Sequence, residues 1–239
     1  MKKIILAVIA ALSVMTIHAK TLVVYYSYTN NVHTIVSELT KQIDADVIRV
    51  EPAEKGLDYA ANNYAIGSMQ IDAIRKNPSD ASSYPEIDPI DVNISDYDCI
   101  IIGAPLWWSN MASPLQSFLF KYGKEMAGKH IGLIVLSASS GINGVVGDAK
   151  RLIPDGNFFS EPLWIRSSQT ANCSNLIWHW LADIDYGAIS GIDVVADGKV
   201  STYTVYSVSG SLIGQNLASI DNLVSGPYII NGIKWFKRK

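Results

Sequence analysis

A chain of 239 residues, 49% hydrophobic and 17% charged, carries 19 Lys and Arg against 22 Asp and Glu, a net charge of −3. That mildly acidic balance gives no support to a role in binding nucleic acid or anionic membranes. Two cysteines permit one disulfide at most, and there is no CxxC and no His/Cys cluster at metal-ligand spacing, so neither a disulfide scaffold nor a metal-folded domain is indicated.

The first segment reads as an export signal. Lys2 and Lys3 precede an apolar run from Ile4 to Ile17 that ends at His18-Ala19. A charged start, a core too short for a membrane span and a small residue at the cut mark residues 1–19 as a secretory signal peptide. The expected location is periplasmic, cell-surface or extracellular, and with no cysteine following the cut no lipid anchor is expected. Two lysines leave with the signal, so the balance moves from 19 against 22 to 17 against 22, a net of −5. No other segment approaches transmembrane length. The mature chain of about 220 residues is long enough to bury one good core and a small appendage.

Leu22 to Tyr26 are apolar or aromatic without a break, the pattern of a strand buried on both faces at the centre of a parallel sheet. Polar side chains follow at Ser27, Thr29, Asn30 and Asn31, and behind them Ile35, Val36, Leu39 and Ile43 recur at helical spacing. Strand, short polar turn and helix N-terminus together suit an anion, because the first helical amides lack intrahelical partners and the dipole adds positive potential. A phosphate is the expected occupant; a capped helix with no ligand is the plain alternative. Ala45 to Pro52 reads as a second strand ended by proline. The polar and aromatic stretch from Glu54 to Ser83, with Tyr59, Tyr64 and a helical part near Ala65 to Lys76, exceeds the usual strand-to-strand connection and is expected to border a site. Pro78 to Pro89 forms an irregular return.

Tyr97 to Gly103 is the next buried strand, stopped by glycine. Its loop carries Pro105, Leu106, Trp107 and Trp108, and Pro114 opens a helix from Leu115 to Tyr122. Two adjacent indoles at a strand's C-terminal end suit a flat ring as stacking partner; otherwise one is core and the other a surface residue. His130 to Leu152 repeats the theme of buried strand, small polar turn (Ser137, Ser139, Ser140, Gly141, Ile142) and helix. Glycines at 141, 144 and 147 do not make GxGxxG, so a Rossmann dinucleotide site is rejected. A strand around Phe158 to Ile165 and a helix around Asn172 to Asp183 continue the alternation. Such alternation means a doubly wound parallel sheet, with ligands at the carboxyl ends of strands near the topological switch.

Cys99 and Cys173 are expected to be buried free thiols. His33, His130 and His179 have no partner at triad or metal spacing, and no GxSxG elbow is present, so no catalytic side chain and no metal ligand is assigned. Beyond Gly187 the character changes. Val200 to Val208 alternates polar and apolar residues, and Pro227 to Phe236 reads as a hairpin turning at Asn231-Gly232. Residues 188–239 are therefore expected to form a separate antiparallel β module.

The string SYTNNV resembles the first phosphate loop of flavodoxins, Ser/Thr-x-Thr-Gly-Asn-Thr: Ser27, Thr29 and Asn31 match, Asn30 stands for the glycine and Val32 for the last threonine. GAPLWWSNMASPLQSFL resembles their flavin-ring loop, with Gly103, Pro105, Trp107, Pro114 and Phe118 matching, Ser109 in place of glycine and Trp108 as a second indole. AEKGLDYAANNY is similar to the matching region of a subfamily of secreted or anaerobe flavoproteins. The resemblance implies a flavodoxin-like α/β domain over residues 20–187, a doubly wound five-stranded parallel sheet with helices on both faces. It also implies noncovalent FMN, with one- or two-electron transfer through the flavin. Ser27, Thr29, Asn30, Asn31 and Val32 (by its amide) would hold the phosphate. Pro105, Leu106, Trp107 and Trp108 would flank the ring on one side, and Ser139, Ser140 and Gly141 on the other. An electron carrier is expected, serving a redox partner protein or a small-molecule acceptor; the alternatives are an FMN-dependent quinone-type reductase and a cofactor-free binding or structural protein. The last residues, with Gly226, Tyr228, Ile229 and Gly232, resemble the C-terminal sorting tails of type IX secretion, against the alternative of a β appendage without an addressing role.

Overall fold

The computed structural model describes residues 19–187 and 203–237, apart from 218, 225, 231 and 232. Residues 1–18 of the expected export signal, residues 188–202 where the C-terminal module is expected to begin, and the turn residues Asn231 and Gly232 lie outside the described residues.

In chain order the main sheet and its helices are β1 (Thr21–Tyr25), α1 (Asn31–Leu39), β2 (Asp46–Arg49), α2 (Ala61–Lys76), β3 (Cys99–Trp107), β4 (Asn110–Met111), α3 (Ser113–Tyr122), β5 (His130–Ser137), α4 (Asn143–Leu152), β6 (Asn157–Phe158), β7 (Leu163–Arg166) and α5 (Ser174–Asp183). The strands run in the order β2-β1-β3-β5-β6, all parallel; β7 also pairs with β5, and β4 folds back antiparallel on β3. The single strand expected around Phe158 to Ile165 is thus two short ones, with Pro162, which has no N–H to give a ladder, in the gap.

Alternation along β1 explains its unbroken apolar run. Leu22, Val24 and Tyr26 face one core cluster with Ile100, Ile102, Phe118 and Val145, whereas Val23 and Tyr25 face another with Ile35, Ile101, Ile177 and Trp180. Helices α3 and α4 therefore cover one face, and α1 and α5 the other, so every residue of the central strand is buried. The two strands leaving β1 in opposite directions, β2 and β3, make the topological switch, and a crevice opens at their carboxyl ends.

A second sheet is antiparallel: β8 (Tyr203–Ser207), β9 (Leu212–Leu217), β10 (Gly226–Ile230) and β11 (Ile233–Lys237), in the order β11-β10-β8-β9. Its core is Val205, Tyr228 and Ile230, and Ile230 pairs with Ile233 across the expected hairpin turn. Among the described residues no helix is long and apolar enough to cross a membrane.

Candidate functional site

The ends of β1, β3 and β5 open on one cleft. After β1 the chain stays buried through Tyr26 and Ser27, then turns outward at Tyr28, Thr29 and Asn30. Asn30 lies in the left-handed region at φ 60°, a conformation asparagine tolerates, and its side chain makes no capping hydrogen bond. The ladder of α1 begins with the Thr34 N–H donating to the Asn30 carbonyl at 2.9 Å, and the His33 N–H goes to Ser27 Oγ at 3.2 Å. The amides of Asn31 and Val32 precede that ladder, at the positive end of the helix dipole. From β2, Arg49 donates through Nη2 to the Ser27 carbonyl at 2.8 Å, while its Nε lies 2.6 Å from Glu51 Oε1. The guanidinium, ion-paired with Glu51, thus braces the turn from behind.

The second wall is the β3–β4 hairpin. Trp107 pairs with Asn110, leaving Trp108 and Ser109 as a two-residue turn with φ 45° and 64°. Positive φ at both turn residues is the type I′ pattern, which matches strand twist. The Trp107 ring meets Tyr26 edge-on at 5.5 Å, Tyr59 at 4.8 Å and Trp108 at 6.4 Å between centroids. Trp108 is 40% exposed.

The long insertion closes the third side. Asn62, Asn63 and Tyr64 all have positive φ, a single left-handed turn, so right-handed helix begins at Ala65 as its pattern predicts. The Tyr28 hydroxyl donates to Asp58 Oδ1 at 2.8 Å and accepts the Ala60 N–H at 3.3 Å, tying the insertion to the turn after β1. The hydrogen bond from Tyr28 holds the Asp58 carboxyl below its usual range, and burial pushes the Tyr26 hydroxyl up.

The resulting cleft has a volume of about 240 Å³. Thr29 and Val32 stand at its α1 end, and Tyr64, Pro105, Trp107 and Trp108 form its walls, with none of the lining residues charged. Hydrogen-bond donors at one end and flat aromatic surfaces along the rest fit a planar ring system that carries an anion. A smaller hollow of about 150 Å³ lies behind Tyr28 and Tyr59. Of the charged residues that line it, Arg49 pairs with Glu51 and Lys55 with Asp88, and Glu54 lines it as well. Among the described residues no group of three or more His, Cys, Asp or Glu side chains is placed to hold a metal ion.

The profile of the family described as Flavodoxin matches residues 20–182, which is most of the chain. The chain belongs to the flavodoxin family. Its fold is similar to that of a Bacteroides eggerthii flavoprotein, with a TM-score of 0.56 and 24% identity over 70% of this chain and 98% of that one. A flavoprotein of Bacteroides uniformis is similar with a TM-score of 0.54 and 22% identity over 69% and 99% of the two chains. A Lactobacillus acidophilus flavoprotein, whose crystal structure is a complex with FMN, gives a TM-score of 0.52 and 22% identity over 66% and 99%. No curated protein matches the sequence.

Within this flavodoxin fold, the residues singled out from the sequence separate into two groups. Ser27, Thr29, Val32, Pro105, Trp107 and Trp108 line the cleft, and Asn30 and Asn31 form the turn and helix start beside it. Leu106 alternates away and packs on the core cluster under α3. Ser139, Ser140 and Gly141 are exposed and do not line the cleft; from β5 it is Leu136 that does. Ser137 Oγ donates to the Ser140 carbonyl at 2.7 Å and accepts the Trp164 Nε1–H at 2.8 Å, which folds that turn back on the strand end. Tyr59 and Tyr64 take the bordering role that the insertion's composition suggests. Sequence reasoning missed Tyr28, Gly67, Leu136 and the brace from Arg49. A lone basic residue at the end of a short strand, or a glycine inside a helix, carries no local signal of such a role.

Proposed function

We propose that this chain is an exported flavodoxin that binds FMN noncovalently and transfers electrons. The single observation that carries the reading is one uncharged cleft at the switch point, joining the open N-terminus of α1 to the paired indoles. The amides of Asn31 and Val32 and the hydroxyls of Ser27 and Thr29 would hold the phosphate, and Pro105, Trp107, Trp108 and Tyr64 would flank the ring. Bound FMN supplies one- or two-electron chemistry, and the protein's part is to orient the ring, exclude water from its faces and limit access to its edge. Export is supported by the signal-like composition of residues 1–19. An electron carrier serving a redox partner or small acceptor is the reading that needs the fewest catalytic side chains, since none of the cleft-lining residues is ionisable near neutral pH.

The test is a flavin titration of the purified mature protein. Quenching of flavin fluorescence with one-to-one stoichiometry supports the reading; a colourless protein that leaves added FMN fluorescent overturns it. Release of a processed form outside the cytoplasm checks export separately.

A further inference from the structure

The loop that carries the indoles has an unfavourable shape, and what holds it lies outside the cleft. Trp108 and Ser109 are both left-handed, with no glycine to ease the turn. From α2, Arg75 donates through Nη2 to the Trp108 carbonyl and through Nε to Asn110 Oδ1 at 2.8 Å. Asn110 Nδ2 donates in turn to Asp148 Oδ2 at 2.9 Å, and the same oxygen accepts the Met111 N–H at 2.9 Å. Asp148, on α4 and 7% exposed, meets Arg151 Nη2 at 3.1 Å through its other oxygen. Gly144, also on α4, leaves room for the Ser109 carbonyl where a Cβ would overlap it. On the opposite side the Trp108 ring rests on α2 at Gly67, where a Cβ would come within 2.9 Å of Cζ3 and within 3.3 Å of Trp107 Cε3. Two helices grip the hairpin tip, and the backbone of one of them is the surface on which an indole lies.

We propose that Arg75, Asp148 and Gly67 are positioning residues that set the width of the cleft. The relay from Arg75 through Asn110 to Asp148 fixes the hairpin's height. The missing side chain at 67 lets the Trp108 ring lie against α2 instead of standing in the space meant for a ligand. Neither Arg75 nor Asp148 lines the cleft; both act through Trp108 and its neighbours. The binding arm of this inference rests on the FMN reading above, and the relay itself does not.

The test uses the full mature chain and three measurements: dissociation constants for FMN and for riboflavin, amide hydrogen exchange at Asn110 and Met111 without flavin, and thermal stability. Arg75→Ala is expected to speed that exchange and to weaken FMN and riboflavin by the same factor, about tenfold, because the phosphate end is untouched. Arg75→Lys, a point charge without the fork, falls between and carries the same measurements should Arg75→Ala not fold. Gly67→Ala is expected to weaken both flavins by a similar factor while the melting temperature holds or rises, alanine being the better helix former. A purely structural role would move stability and affinity down together. Unchanged exchange in the Arg75 variants, or flavin affinities within about twofold of wild type in both Arg75→Ala and Gly67→Ala, overturns the proposal. If the wild-type protein takes up neither flavin, the FMN reading fails, and the exchange measurement alone decides the relay: faster exchange upholds it and unchanged exchange overturns it.

Discussion

Trp107 is where the cleft and the core meet. Its ring is half-buried against Tyr26 and Tyr59 and also forms cleft wall, so one substitution touches both stability and binding. Trp107→Ala is expected to lower unfolding free energy by about 2–3 kcal/mol, less than a full core truncation, and to weaken FMN by about tenfold or more. Urea unfolding and a flavin titration read the two effects separately. Asn30 shows how little its departure from the flavodoxin glycine matters: at φ 60° asparagine is tolerated. Asn30→Gly is expected to stay within about 0.5 kcal/mol of wild type, whereas Asn30→Val should cost about 1–2 kcal/mol, by the same unfolding measurement. Cys99 and Cys173 are free and fully buried, and burial pushes the Cys99 thiol from 9.0 up to about 12. A thiol reagent at pH 8 should therefore find neither in the folded protein and both after denaturation. With the folded value raised, the contribution of Cys99 to stability is complete below 9.0 and is lost as the pH climbs toward about 12, so Cys99→Ala should flatten the alkaline fall in melting temperature.

Among the elements, α3 shows most clearly that a family-like residue can act through packing alone. Pro114 occupies its first turn, where the missing N–H costs nothing, and Phe118 is wholly buried one turn later against the β1–β3 face. Phe118→Ala is expected to cost about 3–5 kcal/mol of stability in chemical denaturation while leaving the FMN dissociation constant within about twofold under native conditions. The left-handed start of α2 has the opposite character. Asn62, Asn63 and Tyr64 accept backbone strain, and the exposed Tyr64 ring is thereby set on the cleft wall.

For the whole molecule, the end of the main domain is tied back to its beginning. The buried Tyr186 hydroxyl and Thr21 Oγ1 lie 2.7 Å apart, joining the residues after α5 to the first residue of β1. A chain ending at Gly187 is expected to keep the flavin titration and the melting temperature of the complete protein within a few degrees. One ending at Ile184 should melt several degrees lower, having lost a buried aromatic ring and its hydrogen bond. Calorimetry on the two truncations checks both.

Periodicity and punctuation alone determined much of this. Unbroken apolar runs at Leu22 to Tyr26, Cys99 to Ile102 and Ile131 to Leu136 require burial on both faces, which only a helix-covered parallel sheet supplies. The polar turn after the first run, the indoles after the second and the alternation near the C-terminus each carry their reading locally. The tertiary structure decided what depends on how far one element stands from another. The β5 strand stays buried one residue beyond its apolar run, so Leu136 enters the cleft and Ser139 to Gly141 pass outside its rim. Arg49 reaches the turn after β1, and Arg75 and Asp148 reach the hairpin, from residues separated by 22, 33 and 37 positions respectively. Charge-assisted hydrogen bonds of this kind depend on side chains meeting across the fold, and neither the period of a strand nor the spacing of a motif records such meetings.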